Sequence, residues 1–217
     1  NTIAIRCGED QASYLEYGEG VAAIAAFLTS QGIVKGERVA ICASSSISLP
    51  MLIFGVLSAG AQATLINPNY TEREINPLLD ISEPKLIFHD ATSQAAIENA
   101  SEGREIRLID TAEPAENWQD KSVTSLPSAL PRAEDGAIIM FTGGTTGVSK
   151  GVPHSHAKVI AAMQIQEDRW PTDIGTDIWL NVPPLFHITG LYHGCFQPIY
   201  GCNGTVLLPR LHPELVL

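Results

Sequence analysis

The chain has 217 residues, of which 45% are hydrophobic and 17% are charged, so it can bury a sizeable core and is not a disordered or low-complexity chain. It carries 13 Lys and Arg against 24 Asp and Glu, a formal net charge of -11. This balance argues against a nucleic-acid binder with a broad basic surface and against an electrostatic membrane anchor. An anionic ligand must therefore be bound by local backbone donors and a few placed cations.

The four cysteines, Cys7, Cys42, Cys195 and Cys202, are scattered and contain no C-x-x-C pair. Their spacing favours neither a disulfide framework nor a cysteine zinc site, and it is typical of a reducing compartment. The longest apolar stretch, Leu49 to Ile66, is interrupted by polar residues and glycine, so we expect no transmembrane segment. No signal peptide is visible, and we therefore expect a cytoplasmic protein.

Helix-like and strand-like segments alternate along the chain. Helical spacing of apolar residues, together with capping residues, predicts helices over Tyr14–Gln31, Ser46–Ala59, Thr71–Ile81, Ser93–Ala100, Ser155–Glu167 and Ile188–Tyr200. Short apolar runs predict strands over Glu37–Ala43, Gln62–Ile66, Lys85–His89, Ile106–Ile109, Gly136–Thr142, Asp177–Val182 and Thr205–Leu208.

Local signals mark the ends of several of these elements. Gly32 predicts a C-terminal cap for the first helix, and Ser46 an N-terminal cap for the second. The sequence from Thr71 to Glu74 is a capping box, in which hydroxyl and carboxylate each satisfy a free backbone N–H. The proline-rich stretch from Thr111 to Ala133 predicts a surface excursion, and Pro213 favours the start of a further helix.

Alternation of short apolar strands with helices predicts an α/β fold with mainly parallel sheets flanked by helices. In such sheets ligands bind beyond the carboxyl ends of the strands. The loop that follows the strand ending at Thr142 is the most unusual of these, and we expect the functional site there.

This loop, Phe141 to Gly151, reads FTGGTTGVSKG. Its glycines let backbone N–H groups approach an anion closely, its threonine hydroxyls add donors, and Lys150 supplies a cation. The pattern therefore predicts a polyphosphate cradle. It is not the P-loop of the NTPases, because Lys150 lacks both the preceding glycine and the following Ser or Thr. On these residues alone, a flexible surface loop remains an open alternative.

The loop resembles the signature of the adenylate-forming enzymes, which include acyl-CoA synthetases, aryl-CoA ligases and the adenylation domains of peptide synthetases. Other segments agree in order: the region from Ser13 to Val39, Leu57 to Ala61 with Asn67-Pro68, and Pro184-Leu185-Phe186-His187 with Gly190. The resemblance covers nearly the whole chain. It implies that residues 1–217 are part of the large N-terminal domain of such an enzyme, with the C-terminal domain absent.

In that family ATP and a carboxylic acid give an acyl-adenylate and pyrophosphate, and a thiol, usually coenzyme A, then takes the acyl group. The resemblance implies that Mg²⁺ takes part and that Thr142 faces it. It also implies that the loop holds the β- and γ-phosphates of ATP through Thr142, Gly143, Gly144, Thr145, Thr146, Gly147 and Lys150. His187 is implied to act near the reacting carboxylate.

The histidines allow other interpretations. His154 and His156 have the spacing of a metal pair, but a third ligand at suitable spacing is lacking. From the sequence alone His187 is favoured as a hydrogen-bonded loop residue, and only the resemblance gives it a place in the acyl pocket.

Three hypotheses stay open at this stage. The first is a fragment of an acyl-CoA synthetase, inactive by itself because the family's later motifs do not appear in the sequence. The second is an adenylation enzyme that loads a carrier-protein thiol. The third is a non-catalytic α/β module that binds a nucleotide or another anion. The acyl chain and the oligomeric state are not predicted.

Overall fold

The computed structural model describes residues 2–112, 122–142 and 149–208. In these ranges the strands are β1 Ile3–Cys7, β2 Asp10–Ser13, β3 Arg38–Cys42, β4 Gln62–Leu65, β5 Leu86–His89, β6 Arg107–Asp110, β7 Gly136–Thr142, β8 Lys150–Ser155, β9 Ile178–Asn181 and β10 Gly204–Leu207. The helices are α1 Tyr14–Ser30, α2 Ser48–Ser58, α3 Glu72–Ser82, α4 Gln94–Ser101, α5 His156–Arg169, α6 Ile188–Leu191 and α7 Gln197–Tyr200, with a π-helical turn, Tyr192–Phe196, between α6 and α7.

The strands form two sheets. One has six strands in the order β6-β5-β3-β4-β7-β8, and the other has four in the order β2-β1-β10-β9. All pairs are parallel except β7 with β8 and β1 with β2, which are antiparallel. The prediction of an α/β fold with mainly parallel sheets is confirmed. The central strands β3, β4 and β5 are buried almost throughout, as Val39, Ala40 and Ile41 in β3 illustrate.

One hydrophobic cluster joins the two sheets. It contains residues of both sheets, such as Ile5 in β1 and Ile41 in β3, together with Ile24 of α1 and Ile53 of α2, and all four are at most 1% exposed. A second, smaller cluster lies under α3 and α4. Among the described residues, no helix is long and apolar enough to cross a membrane.

The predicted helix caps are mostly confirmed. The Thr71–Glu74 capping box begins α3. A further capping box, between Ser13 and Glu16 at the start of α1, was not predicted. Gly32 follows α1 with a φ of 80°, a conformation that favours glycine. Ser46, however, does not cap α2: the helix begins at Ser48, and no side chain caps it. Burial of its apolar faces stabilises α2 instead.

Three elements were not predicted. The β1–β2 hairpin is short and only half apolar, and β8 contains Pro153 and Gly151, which disfavour a strand interior. The helix predicted over Ile188–Tyr200 has that extent, but the π-helical turn divides it. The described parts of the proline-rich excursion, residues 111–112 and 122–133, contain neither helix nor strand. Pro213 lies outside the described residues.

Candidate functional site

The glycine-rich loop closes an antiparallel hairpin. Strands β7 and β8 pair from Gly136↔Ser155 to Thr142↔Lys150, so Thr142 and Lys150 are the last residue pair before the loop. Side chains that face each other across such a pair lie on the same side of the sheet, about 5 Å apart at Cβ. Both residues are exposed. A hydroxyl and a cation therefore flank the loop at the carboxyl end of β7, as the predicted phosphate cradle requires.

The other predicted loop ligands, Gly143, Gly144, Thr145, Thr146 and Gly147, lie outside the described residues. The strand β8, which was not predicted, follows the loop. The helix predicted from Ser155 is confirmed, because α5 begins at His156 with Ser155 as its N-cap. The loop therefore lies between β7 and β8.

Strand β8 packs closely against α3 through Gly151. A Cβ added at Gly151 would lie 2.8 Å from Cγ2 of Ile81 and 3.2 Å from Cγ2 of Ile139. A larger residue would require the Ile81 side chain to shift. Gly151 thus allows β8, the strand that carries Lys150, to lie close to α3.

A cleft of about 220 Å³ opens at the same edge of the molecule. Its lining comes from the segments that follow the carboxyl ends of β3 and β4 in one sheet and of β9 and β10 in the other. The lining residues are Ala43, Ser44, Ser45, Leu49, Pro68, Asn69, Val182, Pro184, Leu185, Phe186 and Leu208. Because β4 is the neighbour of β7, the cleft lies beside the strand end that carries the glycine-rich loop.

Ser44, Ser45 and Asn69 line this cleft but were not predicted as site residues. Each comes directly after a predicted strand or its turn, which is the position that the carboxyl-edge rule marks. The signal was therefore present, but three small polar residues in ordinary turns carry no chemistry that would single them out.

His187 stands at the rim of this region, next to the cleft residue Phe186. It is the N-cap of α6, and its Nδ1 accepts a hydrogen bond from the Thr189 backbone N–H at 3.3 Å. A neutral imidazole that accepts at Nδ1 carries its proton on Nε2. The side chain is exposed, so the Nε2–H can donate to a ligand.

Gly190 sets the position of His187. A Cβ at Gly190 would lie 2.2 Å from the Pro184 carbonyl oxygen and 2.5 Å from that of Pro183. These are backbone atoms, so α6 approaches the loop before it as closely as it does only because residue 190 has no side chain. The close packing explains why the sequence has a glycine at position 190, three residues after His187.

Asp90 ties together the loops that follow β3 and β5. One carboxylate oxygen accepts from the Ser44 backbone N–H at 2.7 Å, and the other from the backbone N–H groups of Thr92 and Ser93. Burial alone would raise the pKa of Asp90, but these hydrogen bonds outweigh it and hold the pKa below its ordinary value of 3.8. Asp90 is therefore ionised, and its carboxylate holds the backbone of the cleft residue Ser44 in place.

Replacing Asp90 with asparagine is expected to lower the free energy of unfolding by about 1–2 kcal/mol, because the new amide group must face backbone donors. Since the pKa of Asp90 is lowered by folding, its charge stabilises the protein above pH 3.8, and this contribution is lost as the pH falls through the folded pKa. Thermal unfolding at pH 7 and at pH 3 should show the gap between wild type and variant narrowing at pH 3. The control is Asp168→Asn, an exposed position on α5; an equal loss there would contradict the assignment.

The two histidines of the suggested metal pair have separate surroundings. Nδ1 of His154 lies 3.0 Å from the hydroxyl of Tyr192, whereas His156 faces an apolar cavity between α2, α5 and α7. Among the described residues, no group of three or more His, Cys, Asp or Glu side chains could hold a metal ion. His193 also lies away from the cleft, with Nδ1 2.9 Å from Nε2 of Gln166 and its ring stacked on Trp179.

Comparison with known proteins decides the family. The family model described as "AMP-binding enzyme" matches residues 1–216. The chain belongs to this family. The resemblance seen in the glycine-rich loop and in the Pro-Leu-Phe-His segment is thereby confirmed for the chain as a whole.

Relatives and solved structures of AMP-binding enzymes agree with this assignment. "Probable CoA ligase CCL5" of Humulus lupulus is 31% identical over 79% of this chain, and one of the mycosubtilin synthase subunits of Bacillus subtilis is 28% identical over 99% of it. The crystal structure of the N-terminal domain of FACL13 from Mycobacterium tuberculosis matches 99% of the chain with a TM-score of 0.90 and 25% identity. The fold is thus that of the N-terminal domain of adenylate-forming enzymes.

The chain is much shorter than these AMP-binding proteins. It spans 33% of the hop protein, 8% of the Bacillus synthase polypeptide and 55% of the FACL13 domain. The activity, substrates and partners of a whole protein are therefore matters of proposal.

Proposed function

We propose that the intact protein to which this chain belongs is an AMP-forming acid–thiol ligase, which activates a carboxylic acid with ATP and transfers the acyl group to coenzyme A. The observation that carries the proposal is the Thr142–Lys150 pair at the end of the β7–β8 hairpin. It puts a hydroxyl and a cation on either side of the glycine- and threonine-rich loop, at the sheet edge where the cleft opens. Membership of the AMP-binding family supports a nucleotide as the anion.

The first half-reaction is an in-line displacement at the α-phosphorus of ATP. A carboxylate oxygen of the acid forms a bond to the α-phosphorus as the bond to the bridging oxygen of pyrophosphate breaks, and the electron pair leaves with pyrophosphate. In the second half-reaction a thiol forms a thioester with the acyl carbon, AMP leaves, and the thiol proton is lost. Phosphoryl chemistry of this kind needs positioning and charge neutralisation more than covalent help from the protein.

Lys150 neutralises charge that builds up on pyrophosphate, next to a chain whose own net charge of -11 repels that anion. Thr142 and the loop residues Gly143, Gly144, Thr145, Thr146 and Gly147 are proposed to donate hydrogen bonds to the β- and γ-phosphates. The exposed Thr142 hydroxyl fits one oxygen ligand of a Mg²⁺ ion that the phosphates chiefly hold, and such an ion would neutralise phosphate charge.

His187 is proposed to orient the reacting carboxylate. Because its Nδ1 is occupied by the Thr189 N–H, the exposed Nε2–H donates, and a donor at this point binds a carboxylate oxygen or the carbonyl oxygen of the adenylate. The neighbouring cleft, lined by Phe186 and Leu185, offers apolar surface for the acyl group.

A carrier-protein thiol is the second candidate acceptor, since the Bacillus relative is part of mycosubtilin synthase. Coenzyme A remains the first candidate because the hop relative is named a CoA ligase. Mass spectrometry of the thioester formed by the intact protein with each acceptor distinguishes the two. With either acceptor, the proposed location is cytoplasmic. The proposed partners are then the carboxylic acid, ATP and the acceptor thiol.

The proposed activity is tested by exchange of labelled pyrophosphate into ATP, catalysed by the intact protein with a panel of carboxylic acids. Exchange that depends on one class of acid is the expected result, and the reaction without acid is the control. ATP binding without exchange for any acid would favour a non-catalytic nucleotide-binding module instead. Residues 1–217 alone are expected to show no exchange, and turnover like that of the intact protein would contradict this part of the proposal.

A further inference from the structure

Strand β8 carries a histidine on the same face as Lys150. Lys150 and His154 are four residues apart on this strand, and side chains at that spacing lie on one side of a sheet. The residue opposite His154 on β7 is Ile138, which is buried in the hydrophobic cluster that joins the two sheets. The face of β8 that carries Lys150 is therefore the face turned toward the core.

One hydrogen bond connects this face of β8 with the helical segment that follows His187. Nδ1 of His154 lies 3.0 Å from the hydroxyl of Tyr192, and the two rings meet edge to face with centroids 6.2 Å apart. Within the described ranges, no other hydrogen bond joins β8 to residues 187–200. Burial lowers the pKa of His154 and raises that of Tyr192, so both rings are neutral near pH 7 and the phenol can donate to the imidazole.

Tyr192 is fixed on its other side by aromatic packing. It begins the π-helical turn Tyr192–Phe196, and its ring meets that of Phe196 edge to face with centroids 5.5 Å apart. Phe196 meets Phe54 of α2 in the same way, with centroids 5.7 Å apart. Turns of this kind inside helices are frequent at functional sites. The packing therefore holds the Tyr192 ring in the core while its hydroxyl reaches β8.

His187 and Tyr192 are the two ends of one short helix. His187 is the N-cap of α6 and Tyr192 is its C-cap, and the His187 carbonyl accepts from the Leu191 N–H at 2.9 Å. Five residues of helix span about 7.5 Å. Lys150 and His154 are separated by about 14 Å of strand. The Tyr192 hydroxyl thus links the helix that begins at His187 to the strand that begins at Lys150.

We propose that Tyr192 is a positioning residue for the adenylation step. Its hydrogen bond to His154 sets the distance between His187, which orients the carboxylate, and the phosphate cradle. This inference rests on the proposed function. The carboxylate must lie in line with the leaving pyrophosphate, so the rate depends on how precisely the groups that hold these two anions are spaced, and an error of about 1 Å can cost 100-fold.

The first test is the Tyr192→Phe variant of the intact protein, which loses the hydroxyl and keeps the ring. The kcat of pyrophosphate exchange should fall about 10-fold, which corresponds to one hydrogen bond, whereas the KM for ATP should stay within about twofold because the phosphate cradle is unaltered. The matched control is Tyr200→Phe, since Tyr200 is 40% exposed in the same helical segment. It should leave both constants unchanged.

Two further comparisons separate positioning from a general loss of structure. His154→Leu should repeat the loss in kcat, whereas His154→Asn, which places an amide group near the position of Nδ1, should recover part of it. In a His187→Ala background, Tyr192→Phe should lower kcat no further, because a residue that acts through His187 has no effect once that side chain is removed.

A measurement that needs no turnover distinguishes failure of this inference from failure of the proposed function. The ring signals of His187 in NMR spectra of the histidine-labelled intact protein, assigned by their loss in His187→Ala, should shift in Tyr192→Phe and stay unchanged in Tyr200→Phe. Unchanged His187 signals, a wild-type kcat in Tyr192→Phe, or an equal further loss in the His187→Ala background would each overturn the inference. Shifted signals in a protein that catalyses no exchange would support the link between helix and strand and would instead contradict the proposed function.

Discussion

Replacing Gly190 with alanine is expected to lower the exchange activity of the intact enzyme by about 100-fold or more and its free energy of unfolding by about 1–3 kcal/mol. The added methyl group would lie 2.2 Å from the Pro184 carbonyl oxygen, and a backbone carbonyl cannot rotate away as a side chain can. Helix α6 must therefore move away from the Pro183–Pro184 segment that precedes it, and His187 moves with the helix. A shift of about 1 Å in a positioning residue is enough to reduce a rate by that factor.

Gly18 supplies the matched control for this substitution. It is also a helical glycine, but a Cβ there would meet nothing within 4 Å. Gly18→Ala should therefore stabilise the protein by about 0.5–1 kcal/mol, because alanine loses less conformational entropy in a helix, and should leave activity unchanged. Urea denaturation and pyrophosphate exchange on both variants provide the comparison. Wild-type stability and exchange in Gly190→Ala would show that the close approach does not position His187.

The fold could be predicted from the sequence where local and global signals agree. Most of the parallel strands are short apolar runs bounded by turns, and α3 begins with the capping box that the sequence shows, so periodicity and capping point to the same elements. The β1–β2 hairpin and β8 could not be predicted in this way. Strand β8 carries proline and glycine and is held by its pairing with β7 and by close packing of Gly151 on α3, both of which are long-range contacts.

The candidate site was predicted in its chemistry more than in its geometry. The residue types in the glycine-rich loop indicate an anion site, and the structure adds that Thr142 and Lys150 form a cross-strand pair. The cleft was not predicted, because its lining comes from segments far apart in the chain, such as Ser44 and Phe186, which only the joining of two sheets brings together. The burial of Nε2 of His156 without a hydrogen-bond partner among the described residues could not be predicted either, since burial of one atom has no local sequence signal.

The Lys150→Ala variant is expected to reduce pyrophosphate exchange by about 100- to 1000-fold, the usual cost of removing one group that stabilises developing charge. Lys150 is exposed at the end of an edge strand, so its loss should leave the thermal midpoint within a degree or two of wild type, because exposed surface positions contribute little to stability. Lys85 is another exposed lysine, and it lies at the amino end of β5, whereas the glycine-rich loop follows the carboxyl end of β7. The Lys85→Ala variant changes the net charge by the same amount as Lys150→Ala and should keep full activity. Lys150→Arg should recover part of the rate, because it retains the charge with a different shape. Equal exchange rates in Lys150→Ala and wild type would remove Lys150 from the phosphate cradle, and with it the observation on which the proposed function rests.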